Sequence, residues 1–211
     1  NPDIYALKGA NALGTAFYVP FQNYLNNGYT QSPAGFDIVA TEDNTTIEIT
    51  PRKPIVGHPQ NVTFTITLDA GETWSGRATS TAASQHPFGT VVNSDKPIAI
   101  TISDDSLNGT PYGGCADLFG DQIVPVEIVG TEYIAIKGNL NGPDKVFFIP
   151  TEPNTTISVN GNVVTTLNTL TSIYTHTLYA NSAYYEASSP VYALHLTGFG
   201  CEVGGALLPP I

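Results

Sequence analysis

Basic residues are scarce in this chain. Seven Lys and Arg stand against 18 Asp and Glu, the net charge is −11, and no Lys/Arg cluster occurs. Phosphate-backbone recognition has no electrostatic source, which excludes nucleic acid as a partner. Long apolar runs are missing too: nothing approaches the ~20 residues that span a bilayer, so no membrane-spanning segment is expected. Asn1-Pro2-Asp3 lacks the basic and apolar regions of a signal peptide. Methionine is absent even at position 1, so the chain reads as a processed or excised piece of a longer polypeptide. No Gly-x-Ser-x-Gly occurs, and the Gly-Gly pairs lack the lysine of a phosphate loop. His58, His86, His176 and His195 are too scattered to suggest zinc. No enzyme is expected.

Sustained apolar spacing at i, i+3, i+4 is absent as well, and charged residues make up only 12%. Alternating strand-length runs take its place, among them Phe36 to Ala40, Thr46 to Thr50, Ile98 to Ser103, Tyr133 to Lys137, Val146 to Ile149 and Val191 to Leu196. This is an all-β signature.

The chain also repeats itself. Thr41-Glu42-Asp43-Asn44-Thr45-Thr46-Ile47 recurs as Thr151-Glu152-Pro153-Asn154-Thr155-Thr156-Ile157 at an offset of 110, which continues through Thr65/Thr175, Leu68/Leu178 and Trp74/Tyr184. Gly14 matches Gly130 at an offset of 116, and Cys115 matches Cys201 at an offset of 86. A fixed offset over such distances indicates duplicated modules. The expected architecture is two tandem antiparallel β-sandwich modules related by internal duplication, residues 1–125 and 126–211. Residues 36–50 and 146–159 should form equivalent hairpins with Ile47 and Ile157 pointing inward.

The change of offset makes the first copy longer by 30 residues, which fall in three loops: Gln22 to Gly35, Ser75 to Phe88 and Asp104 to Gly114. Long loops on a rigid sandwich are where recognition is built. Their aromatic, amide and charged side chains, Tyr24, Asn26, Tyr29, Arg77, His86 and Tyr112, are the candidate binding residues for sugars or protein surfaces. Asp104, Ser106 and Asn108 alternate ahead of Gly109, a spacing by which a loop can fold round Ca²⁺, the one cofactor with a candidate site. The same residues also suit a polar turn capping its own amides. The cysteines allow two readings, unrelated free thiols or a Cys115–Cys201 bond. A bond requires Cα atoms within about 7 Å, so the two modules would have to fold back on each other.

Several ordered motifs together resemble the IgGFc-binding protein N-terminal domain family, as found in secreted surface proteins of Bacteroidota. They are Gly-Thr-x-[Phe/Tyr] at Gly14 and Gly130, Phe36 to Thr46, Asp69 to Thr73, Ser94 to Ala99, and Gly113 to Pro125. The resemblance implies a secreted or cell-surface location, tandem β-sandwiches and a non-catalytic adhesive or structural role within a larger repeat protein. It does not imply immunoglobulin binding. It also makes Ser106, in Asp105-Ser106-Leu107, the expected glycosylation site. The expected partners are a protein or glycan surface, or neighbouring modules of the same polypeptide. The alternative from another class is a carbohydrate-binding accessory module of a secreted polysaccharide-degrading enzyme.

Overall fold

The computed structural model describes residues 7–211; residues 1–6, where the expected first module begins, lie outside the described part. Strands dominate, three short 3-10 turns interrupt them, and no α-helix occurs among the described residues. The first half carries β1 (Gly14–Val19), β2 (Gly35–Ala40), β3 (Thr45–Thr50), β4 (Phe64–Leu68), β5 (Thr73–Arg77), β6 (Thr90–Asn108) and β7 (Ala116–Gln122). The second carries β8 (Glu132–Ile136), β9 (Asn139–Leu140), β10 (Asp144–Pro150), β11 (Thr155–Val159), β12 (Asn162–Leu167), β13 (Tyr174–Leu178), β14 (Ser182–Ala187), β15 (Val191–Gly200) and β16 (Glu202–Leu207).

β6 serves two layers. Its residues 90–94 lie between β3 and β1, whereas residues 98–108 pair with β2 and β7. The change falls at Lys96-Pro97, where proline removes a ladder donor. The layers are therefore β4-β3-β6-β1 and β5-β2-β6-β7. In the second half the same two jobs are divided between β14 and β15 on either side of Pro190. The resulting sheets are β12-β11-β14-β8 and β13-β10-β15-β16, with β9 added in parallel to the end of β15. Pairing order is thus the same in both halves.

Two sequence expectations need correcting. Residues 36–50 and 146–159 are not hairpins: β2 and β3 pair with different neighbours, as do β10 and β11, so each Thr-Glu-x-Asn segment is an arch between layers. Their positions do correspond. Thr45 Oγ1 donates to the Glu42 carbonyl at 2.7 Å and Thr155 Oγ1 to that of Glu152 at 2.7 Å. Asn44 and Asn154 both adopt positive φ, 54° and 62°. Ile47 and Ile157 are fully buried as expected. Beyond this arch the offset of 110 fails. β4 pairs with β3, but β13, its match by offset, pairs with β10; Trp74 lies opposite Ile38, so its counterpart by position is Tyr174, opposite Phe148.

The halves share a core. One hydrophobic cluster contains Phe17, Phe36, Ile38 and Ile100 of the first half together with Phe147, Ile149, Tyr192 and Leu194 of the second. The alternate residues of β10 and β15, Val146, Phe148, Val191 and Ala193, belong to a second cluster. The β10–β15 layer is thus covered on both faces, which explains its unbroken Val-Phe-Phe-Ile run. At the position of Phe147 the first half has Asp37, half-exposed and paired with Arg77 at 3.0 Å. Each fully buried Phe or Ile here contributes about 1.5–3 kcal/mol.

β7 and β16 run side by side in parallel register. Cys115 is bonded to Cys201 with Cα atoms 5.4 Å apart. Asp117 Oδ2 accepts Val203 N–H at 2.8 Å, and Asp121 Oδ2 accepts Leu207 N–H at 2.7 Å. Phe119 lies over Gly205, where a Cβ would meet its ring at 2.0 Å. All four contacts join residues 86 apart. Lys8 Nζ also pairs with Asp121.

Candidate functional site

The three long loops of the first half converge. Asn27 N–H donates to Thr81 O at 2.8 Å, Gly28 N–H to Ser106 O at 2.6 Å, and Asn108 N–H to Asn26 O at 2.8 Å. The Asn26 side chain accepts Ala83 N–H at 2.9 Å. Each loop thus supplies backbone groups that another satisfies, as buried loop backbone requires.

Beneath them lies a buried polar clamp of Gln22, Asn27, His86 and Asp104, none more than 6% exposed. Gln22 Oε1 accepts Tyr24 and Leu25 N–H at 2.6 and 2.7 Å, which fixes its amide orientation. Its Nε2 then donates to Leu25 O at 2.7 Å and Asp104 Oδ2 at 2.7 Å. Asn27 Nδ2 donates to Asp104 Oδ1 and Asp105 O, both at 2.6 Å. This leaves His86 facing acceptors on both sides: Gln22 O at 3.0 Å and Asp104 Oδ2 at 3.2 Å from Nδ1, and Asn27 Oδ1 at 3.1 Å from Nε2. The neighbouring Gln22 Nε2 has already committed both hydrogens. The imidazole is thus held on both ring nitrogens, by Gln22 and Asp104 on one side and Asn27 on the other. Among the described residues no Ser, Thr or Cys side chain hydrogen-bonds His86, so the arrangement is not a nucleophile–base pair.

Outward from the clamp stand Tyr24 at 41% and Tyr29 at 60% exposure, with Asn26 also exposed. A shallow recess of about 140 Å³ is lined by Tyr24, Leu25, Asn26, Asn108, Thr110 and Pro111. The same loops grip the second half. Lys145 Nζ lies 4.5 Å above the Tyr24 ring, and Thr175 Oγ1 donates to Asn23 Oδ1 at 3.1 Å. Burial lowers the Lys145 pKa. Tyr112, fully buried, donates to Pro143 O at 3.0 Å and accepts Asn141 Nδ2 on its carbonyl at 2.9 Å. Burial first, then the Tyr24 and Asp144 charges, push its phenol pKa well above the usual range.

Of the six candidate binding residues, Tyr24 and Asn26 line one recess and Tyr29 is exposed on the same loop. His86 and Tyr112 point inward, and Arg77 lies apart on β5 with Asp37. Asp104, Ser106 and Asn108 each have a separate local setting. Asp104 belongs to the clamp, Asn108 Oδ1 accepts Thr110 N–H at 3.1 Å, and Ser106 occupies a bulge at φ 48° between them. Ser106 is half-buried. Sequence reasoning missed the buried, structural role of Gln22 and Asn27, because an isolated amide in a polar loop carries no periodic signal. The one three-residue group with metal-ligand spacing among the described residues, Cys115, Cys201 and Glu202, has both sulfurs in the disulfide.

A second buried pair lies in the other half, where His195 Nε2 is 3.0 Å from Asp144 Oδ2. Burial acts to raise the Asp144 pKa, but hydrogen bonds from His195, Gly138 N–H and Thr197 outweigh it and hold the carboxyl below its ordinary value.

The chain matches the family described as IgGFc binding protein over residues 5–206. No curated protein and no solved structure matches it. No helix among the described residues is long and apolar enough to cross a membrane, which leaves β-barrel insertion unaddressed.

Proposed function

We propose a function from one premise: the chain belongs to the IgGFc binding protein family, whose pattern covers nearly all of it. It is a non-enzymatic extracellular binding module, built as two tandem β-sandwiches from a duplicated unit, with a boundary near residue 125. It works in adhesion at a secreted or surface location within a larger polypeptide. The recurrence of the same strand pairing in both halves supports the duplication. The disulfide suits an oxidising compartment.

One observation carries the binding reading: three loops longer than their counterparts in the second half are locked together over the Gln22–Asn27–His86–Asp104 clamp and present Tyr24, Asn26 and Tyr29. Pre-organised aromatic side chains supply contact area at low entropic cost. The partner is a protein surface. The test coats beads with the chain and measures adhesion to surfaces bearing immunoglobulin Fc, mucin or matrix proteins, before and after enzymatic deglycosylation. Adhesion that survives deglycosylation and is lost in Tyr24→Ala/Tyr29→Ala is expected. Adhesion unaffected by the double substitution would remove the loop face from the reading.

A further inference from the structure

Away from the loop face, the first half carries an aromatic cluster that packs on the edge of the core and that the proposed adhesion does not use. Trp74 on β5 and Phe64 on β4 occupy edge strands of the two layers, and the turn at residues 55–58 bridges them with His58. The His58 ring stacks on Phe64 with centroids 3.4 Å apart. Trp74 lies 5.6 Å from Phe64, 6.1 Å from His58 and 5.8 Å from Phe36 beneath. Gly76 makes room for this, since a Cβ there would meet the Phe36 ring at 2.7 Å. Phe36 is fully buried, yet His58, Phe64 and Trp74 are each only partly covered. Val56 and Val62, on the same 51–62 connection, are 64% and 53% exposed.

We infer that this cluster is a saccharide-binding platform for a neutral glycan, separate from the loop face. Closing the open side of a sandwich requires only apolar side chains. Here two of the three rings carry nitrogens instead, and neither the Trp74 indole N–H nor the His58 ring has a hydrogen-bond partner among the described residues. Ring faces beside unfilled donors match a sugar, whose C–H face stacks while its hydroxyl oxygens accept. Charge narrows the class. A net charge of −11 disfavours anionic glycans, and Arg52 and Lys53 on the connection that bears His58 disfavour a cation.

Trp74 is the chain's single tryptophan, so its emission reports on this site alone. The whole chain is titrated with neutral hexasaccharides of β-glucan, α-glucan, mannan, xylan and galactan, each up to the millimolar range. At least one should give a saturable change in Trp74 emission and shield the indole from acrylamide quenching. His58→Ala should weaken that binding about tenfold, the loss of one stacking contact. The quenching measurement needs no variant, so the test survives a His58→Ala protein that fails to fold. No saturable change with any of the five sugars overturns the inference, as does binding that leaves both Trp74 emission and quenching untouched. Neither outcome bears on protein adhesion through Tyr24 and Tyr29, which the bead assay reads independently.

Discussion

The Asp117 carboxylate accepts the backbone N–H of Val203 at 2.8 Å, across the 86-residue separation that also joins Cys115 to Cys201. Corresponding strands of the two halves thus meet directly, with carboxylates supplying acceptors where no strand ladder forms. Asp121 repeats the contact four residues on and holds Lys8 as well. Asp121→Ala should leave the Leu207 N–H unpaired and cost about 2–4 kcal/mol, read from the urea midpoint. A loss below ~1 kcal/mol would mean that water replaces the carboxylate without penalty.

Reduction should weaken the protein without separating its halves. Cys115→Ser/Cys201→Ser opens a long loop and should lower stability by about 2–4 kcal/mol. The shared core of Phe36, Phe147 and Tyr192 still joins the halves, so a single cooperative transition is expected. Two separate calorimetric transitions in the variant would refute this. Thiol titration of the denatured, unreduced wild-type protein should find no free thiol.

Removing the clamp should free the loops. His86→Ala leaves Asp104 and the Asn27 amide oxygen buried without their imidazole partner and should cost about 1–3 kcal/mol. Amide exchange should accelerate most at Asn27, Gly28 and Asn108, the residues whose N–H groups tie the three loops together. Because the oxygens of Asp104 and Asn108 already have protein donors, adding chelator should leave the wild-type melting temperature unchanged. A drop on chelation would instead support the calcium site expected at Asp104, Ser106 and Asn108.

The second half should respond to acid. Asp144 has a depressed folded pKa, so its contribution is fully present above the unfolded value of about 3.9 and is lost as pH falls through the lower folded value. His176 is pushed below its ordinary value by burial and then by the Lys145 charge. The unfolded chain therefore takes up a proton first, and stability declines as pH drops below about 6.5. Urea midpoints from pH 8 to pH 3 should fall in both windows. His176→Phe should flatten the upper one and Asp144→Asn the lower.

Corresponding positions should differ sharply in sensitivity. Phe147→Ala removes a fully buried ring between the halves and should cost about 3–5 kcal/mol. Asp37→Ala, at the matching position on an exposed sheet face, should cost less than about 1 kcal/mol. Equal costs in denaturant unfolding would show that the β2 and β10 layers are covered alike.

Local chemistry made part of this legible. The Thr-Glu-x-Asn turns were recognisable as a recurring motif, though not as arches between layers, because a left-handed Asn and a hydroxyl capping three residues back need only a few neighbouring side chains. The alternation placing Ile47 and Ile157 inside is equally local. The offset misled further along, since Thr65-Ile66-Thr67-Leu68 and Thr175-His176-Thr177-Leu178 share letters but not partners. Edge strands in both halves read as Thr-rich alternation, and which edge each one takes is not written in that pattern. β7 was invisible for the opposite reason: Asp117 and Asp121 look like solvent-exposed residues until β16 supplies the N–H groups that make their burial possible.

By itself, then, the sequence determined the β class, the recurring Thr-Glu-x-Asn turn, the scarcity of basic charge and of long apolar runs, and the family. Those properties depend on composition and on residues within one turn or strand of each other. Only the tertiary structure decided that the long loops converge, that His86 and Tyr112 face inward, and that the cysteines meet. It also decided that one of two matching sheet faces is buried. Each of these is a contact between segments tens of residues apart, set by how the layers close on one another.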